Sequence, residues 1–212
     1  MSGQRPAAKP AKRLVFPNPL LVVVSGPSGV GKSTIVAELA RRHPQVVPIV
    51  TATTRERREG EEDKVHYHFL GPGEFEELRA RGGLLEQAVV HDHWYGTPVD
   101  QVRGILAAGR DAILTIDPQG ARSVRALVPD ALLIFIKPPS IEDLDQRLAR
   151  RNAEDGRERA LRRHNAEAEM AAADDYDYAI VNPTGHLDDV VEQIWEIIQA
   201  EARRDPPRRV QI

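Results

Sequence analysis

Nine residues, Gly26-Pro27-Ser28-Gly29-Val30-Gly31-Lys32-Ser33-Thr34, follow the apolar run Leu20 to Val24 and fit the spacing G-x-x-x-x-G-K-[ST]. A strand, a glycine-rich turn and a helix start in that order build a cradle for negative oxygens. Successive backbone N–H groups of the turn point inward at the mouth of the helix, and the helix dipole adds to the attraction. Lys32 reaches the β and γ phosphates of a nucleoside triphosphate, and the Ser33 hydroxyl is a suitable oxygen ligand for the accompanying Mg²⁺. A fortuitous glycine-rich turn is the competing reading, and the strand before and helix after the loop weigh against it.

The remainder of the chain suits such a loop. Short apolar runs recur at Leu20 to Val24, Ala112 to Ile116, Ala131 to Ile136 and Tyr178 to Val181, the pattern of parallel strands buried on both faces. Apolar residues three and four apart predict covering helices over Lys32 to Arg42, Val99 to Ala108, Ile141 to Arg151 and Leu187 to Ala202. Arg157 to Ala173 also has helical spacing but is almost all charge and alanine, which predicts an exposed, mobile helix. The expected fold class is α/β, a doubly wound parallel sheet of the P-loop NTPase type with its ligand at the carboxyl ends of the strands. Thr51 to Thr97 interrupts the alternation with turn signals at Gly60, Gly71-Pro72-Gly73 and Gly82-Gly83, so an inserted subdomain is expected there.

With 212 residues, a formal net charge of −3 and no cysteine, the chain has room for one sizeable core and offers no general attraction for nucleic acid or anionic membrane. Disulfides and thiolate metal sites are excluded. No apolar run approaches the roughly 20 residues of a membrane span, and no secretory signal follows the basic start, so a cytoplasmic protein is expected. Residues 1–19 read as a disordered tail, and 203–212, with Arg203-Arg204-Asp205-Pro206-Pro207-Arg208-Arg209, as a solvated one.

A second anion site is suggested by Thr51, Thr53, Thr54, Arg55 and Arg58 after the run Val46 to Val50, where the two guanidiniums could each make paired bonds to a phosphate. A solvated basic loop among Glu56, Glu59, Glu61 and Glu62 is the alternative. Tyr67 is a further hydroxyl for the same phosphate, or else a buried structural tyrosine. His66, His68, His91 and His93 stand in pairs two apart with only carboxylates to complete a shell, which disfavours a metal site.

From about Leu20 to Trp195 the chain resembles guanylate kinases. The resemblance is carried by Thr51-Ala52-Thr53-Thr54-Arg55, His66-Tyr67-His68-Phe69, Leu85-Glu86-Gln87-Ala88, Tyr95-Gly96-Thr97-Pro98, Ile116-Asp117-Pro118-Gln119-Gly120-Ala121, Phe135-Ile136-Lys137-Pro138-Pro139-Ser140, Arg147-Leu148 with Arg151, and Asp177-Tyr178-Ala179-Ile180-Val181-Asn182. It implies a core of 20–50 and 98–202, a GMP-binding insertion at 51–97 and a helical lid at about 147–165. It implies an ATP:GMP phosphotransferase with ATP and Mg²⁺ on the Gly26 to Thr34 loop. Thr51, Arg55, Arg58, Tyr67 and Tyr95 would bind the GMP phosphate, and Glu86, Thr97 and Asp117 would read the guanine. Lys32, Arg55 and the lid arginines Arg151, Arg162 and Arg147 would neutralise charge in the transfer. The chain departs from the family pattern with Thr51 for serine, His66 for aspartate, Gln87 for tryptophan, Thr115 for an acidic residue, Asn152 for glycine and Arg163 for leucine. Two other readings remain open: a ribose bisphosphate phosphokinase of related fold, and a non-catalytic phosphopeptide-binding module. The first has no use for a guanine-reading set, and the second would not keep Lys32 and Ser33.

Overall fold

The computed structural model describes residues 18–90, 92–151 and 169–212. Five parallel strands form the main sheet in the order β2-β7-β1-β8-β9: β1 (Leu21–Ser25), β2 (Val46–Pro48), β7 (Asp111–Thr115), β8 (Leu132–Lys137) and β9 (Tyr178–Val181). The central strand β1 is buried along its whole length, which is why its sequence is continuously apolar rather than alternating. Its residues divide between two cores. Val22 and Val24 pack beneath α1 (Lys32–Arg42) and the last helix α6 (Leu187–Ala202), while Leu21 and Val23 pack beneath α3 (Val99–Ala107) and α4 (Pro118–Leu127). Helices thus cover both faces, and the chain crosses from one side of β1 to the other between β7 and β8. The carboxyl ends of β1 and β7 border that switch, where a doubly wound sheet opens its crevice.

The helices expected over Lys32 to Arg42 and Leu187 to Ala202 are found with those bounds, as is α5 (Ile141–Arg151), and the strands lie within one residue of their expected limits. Helix α4 was not anticipated. Its apolar stripe is thin, built on Ala121 and Val124, but Asp117 caps it by accepting the Gly120 N–H at 2.7 Å and Pro118 occupies its first position. Residues 152–168, which hold most of the expected Arg157 to Ala173 helix and lid, lie outside the described residues.

A second sheet is built from the interrupting segment, in the order β4-β3-β6-β5, with β3 (Ala52–Thr53), β4 (His68–Phe69), β5 (Leu84–Val90) and β6 (His93–Pro98). Helix α2 (Pro72–Ala80) presents the buried Phe75 to Trp94 and Gly96 of β6. The β5–β6 register shifts by one residue between Leu84 and Gln87. In a regular strand, Leu85 and Glu86 would face opposite ways, one of them away from the core. The bulge bends the strand so that both are buried, Leu85 in the apolar core under β1 and Glu86 elsewhere.

The end of the chain corrects the expectation of a solvated tail. Arg208 is buried at 7% exposure, donating to Glu201 at 2.7 Å and to the Ala131 carbonyl at 3.1 Å, with Asp177 at 3.5 Å. Val210 and Ile212 lie against the apolar core. What looked like a basic run too polar to pack carries one arginine whose charge is met by two carboxylates, Glu201 seven residues before it and the more remote Asp177. Removing one member of a buried ion pair leaves the others uncompensated, so Arg208→Ala should cost about 3 kcal/mol in urea denaturation. An unchanged denaturation midpoint would contradict this role.

Candidate active site

The phosphate loop connects β1 to α1. Gly31 precedes the helix at φ 106°, and a side chain there would collide with the Asn182 amide, 2.8 Å from the position of its first carbon. Gly26 is still more confined, since a first side-chain carbon would stand 2.3 Å from the Ile136 carbonyl oxygen. The glycines are therefore required by backbone conformation and by close neighbours together. Asn182 donates to the Val30 carbonyl at 2.8 Å and fixes the loop from behind. The Lys32 amine donates to the Gly26 and Pro27 carbonyls, at 2.6 and 3.1 Å. Burial lowers its pKa to about 8, against the opposing pull of Glu169 and Asp117. A polyphosphate in the loop would favour the ammonium form and offer it a stronger acceptor than a carbonyl.

One cleft of ≈ 320 Å³ is lined by Gly26, Ser28, Lys32 and Ser33 on one side and by Thr51, Tyr67, Glu86, Tyr95, Thr115 and Asp117 on the other, with Glu169 at its edge. Residues from both sheets, separated by up to about a hundred positions in the chain, meet there. Thr97 is fully buried and its hydroxyl donates to Glu86 at 2.6 Å. Glu86 is 6% exposed, and burial raises its pKa to about 7 despite that bond, with Asp117 adding repulsion. Gly120 keeps the space between the two carboxylates open: a first side-chain carbon there would stand 3.2 Å from a Glu86 oxygen and 3.4 Å from Asp117 Oδ1. Asp117 spends that oxygen on capping α4, leaving its other oxygen for a ligand.

Of the expected acceptor-phosphate residues, Thr51, Tyr67 and Tyr95 line this cleft, and Arg58 lines the adjoining opening with Lys32, Ser33, His66 and Tyr67. Arg55 stands behind them, donating to the Tyr95 hydroxyl at 3.3 Å and to Glu61 at 2.8 and 3.0 Å. Tyr67 packs edge-on against Tyr95 and Phe69, and burial raises its pKa. His66 accepts the Glu62 N–H at its Nδ1, 2.9 Å away, a bond that an aspartate in its place could also accept. The side-chain amide oxygen of Gln87, Oε1, is buried without a hydrogen-bond partner among the described residues.

The arginines expected from the lid divide. Arg151 ends α5, and Arg162 lies outside the described residues. Arg147 does not join the cleft: its guanidinium donates to the carbonyls of Val30 at 3.2 Å and Asn182 at 2.7 Å and to the Thr184 hydroxyl at 3.1 Å. It braces the outside of the phosphate loop, because three oxygens there satisfy its donors. Glu169 and Glu61 were not anticipated as site residues. Glu61 reads in the sequence as one charged loop residue among several and Glu169 as one charge of the expected Arg157 to Ala173 helix, and nothing but the fold brings them to the site.

Ser33 is exposed at the helix mouth in the same cleft as Lys32. That suits Mg²⁺, which keeps several waters, takes phosphate oxygens and needs few protein ligands. Among the described residues no group of three or more His, Cys, Asp or Glu could hold a metal ion.

If guanine is bound through its N1–H and N2 amino donors, Glu86 must be ionised to accept them. In the free protein that requires a pH above about 7. The KM for GMP should therefore rise as pH falls below about 7, by up to about tenfold per unit. The KM for ATP serves as the internal control, and a GMP KM that stays flat from pH 8 to 6 would contradict the assignment of Glu86.

A twisted parallel sheet flanked by helices, with a glycine-rich loop and lysine behind its central strand, defines an α/β protein of the phosphate-binding-loop class. Residues 18–201 match the family model described as guanylate kinase. The chain is 42% identical over 191 residues to a guanylate kinase of Carboxydothermus hydrogenoformans, covering 90% of this chain and 92% of that one. It is 46% identical over 180 residues to a guanylate kinase of Thermobifida fusca, covering 85% and 91%. A crystal structure of guanylate kinase from Anaplasma phagocytophilum superposes with a TM-score of 0.73 at 30% identity, covering 88% of each chain. The chain belongs to the guanylate kinase family.

Proposed function

We propose that this protein transfers the γ-phosphoryl group of ATP to GMP, yielding ADP and GDP. The observation that carries the reading is the single cleft with a phosphate loop on one wall and the Thr97–Glu86 pair beside Asp117 on the other. Buried carboxylates suit guanine because it offers two donors on the edge where adenine offers an acceptor and no donor at the corresponding atoms. A site left with unpaired buried acceptors rejects the wrong base strongly. Thr51, Arg55, Arg58, Tyr67 and Tyr95 hold the acceptor phosphate, Arg55 from behind Tyr95, and Glu86, Thr97 and Asp117 read the base. Residues 51–97 act as the acceptor-binding insertion on a core of 20–50 and 98–202, and about 147–165 act as the lid.

Phosphoryl transfer asks the protein for alignment and charge compensation rather than covalent help. The loop and Lys32 hold the triphosphate, and the arginines and tyrosines let the dianionic acceptor approach it in line. An acceptor oxygen then bonds to the γ-phosphorus as its bond to the β–γ bridging oxygen breaks. Mg²⁺, held by Ser33 with the triphosphate, supplies further neutralisation when bound. Arg151 and Arg162 complete the cage when the lid closes, and closure excludes water that would otherwise accept the phosphoryl group. Arg147 serves by bracing the loop. No helix among the described residues is long and apolar enough to cross a membrane. The partners in this reading are ATP and GMP, without nucleic acid or membrane, and its place is the cytoplasm. Coupled assays of ADP release with GMP, AMP and ribose bisphosphate side by side test this. Turnover with GMP alone supports the reading, and equal turnover with AMP overturns it.

A further inference from the structure

The geometry points to Glu61 as a positioning residue for the acceptor phosphate, acting through Arg55 and Tyr95. This rests on the reading of Arg55 and Tyr95 as acceptor-phosphate residues. Glu61 is itself held by the turn it belongs to: its N–H donates to the Arg58 carbonyl at 3.1 Å, and its carboxylate accepts the Arg58 N–H at 2.8 Å. Gly60, at φ 81°, lets the turn close. Both Glu61 oxygens accept from Arg55 Nη2, at 2.8 and 3.0 Å, and the two side chains are only 11% and 19% exposed. Arg55 is further fixed by the Glu56 carbonyl at 2.6 Å from Nη1 and by the rings of Tyr67 and Phe69, 5.5 and 5.7 Å from its central carbon.

So held, Arg55 turns its Nε–H to the Tyr95 oxygen. A hydroxyl whose oxygen already accepts a bond has its own hydrogen left to donate, and Tyr95 lines the cleft. The order Glu61, Arg55, Tyr95 thus aims a donor at the place proposed for the acceptor phosphate. A carboxylate beside an arginine could instead compete with the phosphate for it. The anchoring of Glu61 to its own turn favours a fixed support over a displaceable stand-in, and the two roles predict opposite signs.

Steady-state kinetics of the wild type, Glu61→Gln, Arg55→Ala and the double variant, with GMP and ATP varied in turn, separate them. Glu61→Gln is expected to raise the KM for GMP and lower kcat, each by about tenfold, with the KM for ATP and the melting temperature unchanged. In the Arg55→Ala background it should add nothing, because the two residues act in series. A lower KM for GMP in Glu61→Gln marks a competing anion and overturns the proposal. An effect that adds fully to that of Arg55→Ala, or that extends to ATP and to melting, also overturns it. If Arg55→Ala alone leaves GMP kinetics at wild-type values, the underlying reading of Arg55 fails, and the proposal with it.

Discussion

Lys32→Ala should lower kcat with ATP and GMP by at least about 10²- to 10³-fold, the scale on which one preorganised charge-stabilising donor contributes to a transition state. The amine sits on the carbonyls of Gly26 and Pro27, inside the loop that its own side chain spans. On the proposed reading its loss would remove the cation that meets charge on the transferring group, while the backbone N–H groups of the loop remain to bind the ground-state phosphates. The defect should therefore appear mainly in kcat rather than in the KM for ATP. Lys32→Arg should restore little, because a guanidinium is a planar fork and cannot act as the compact point charge that an ammonium is. Single-turnover rates measured with saturating ATP check this directly. A variant within a few-fold of wild type would mean that the loop binds nucleotide without taking part in transfer.

Glu86→Gln has a two-sided outcome. Its kcat/KM for GMP should fall by about 10²- to 10³-fold, because an amide presents one acceptor and one donor where guanine offers two donors. Turnover with AMP, expected to be poor in the wild type, should hardly change, so discrimination collapses from the GMP side. Stability should move the other way. Glu86 has a folded pKa raised from 4.5 to about 7, so the folded state binds more protons than the unfolded state between those values, and its contribution is lost as pH rises through that window. Glutamine carries no such penalty, and Glu86→Gln should be more stable than wild type at pH 8, by at most about 3 kcal/mol. The gain should shrink toward pH 5. Denaturation at the two pH values separates a residue kept for recognition from one kept for packing. Loss of stability at pH 8 would contradict the former.

Much of this fold is legible because burial writes itself into composition. The continuous apolar runs of β1 and β8 and the helical spacing of α1, α5 and α6 are each consequences of which faces must be dry. Helix α4 escaped notice because alanine and valine suffice where it meets the sheet closely, although Asp117-Pro118 was a readable start signal. Arg208 escaped because its partners Glu201 and Asp177 are charged residues unremarkable in themselves, and only the tertiary fold brings Asp177 to join the nearby Glu201. The phosphate loop was fully written in one stretch. The acceptor side was written only as scattered residues, and the bulge that turns Glu86 into the cleft has no local signal; nor, on the donor side, does the spending of the Arg147 donors on the Val30 and Asn182 carbonyls.

The central claim is that the cleft between the two sheets distinguishes a purine monophosphate by its donors, and a crystal structure of the complex with GMP tests it most directly. The account predicts the guanine N1 and N2 atoms within about 3 Å of Glu86 oxygens, with the phosphate beside Arg58, Tyr67 and Tyr95. A guanine bound in the phosphate-loop half of the cleft, with the Glu86 carboxylate still meeting only Thr97, would contradict it.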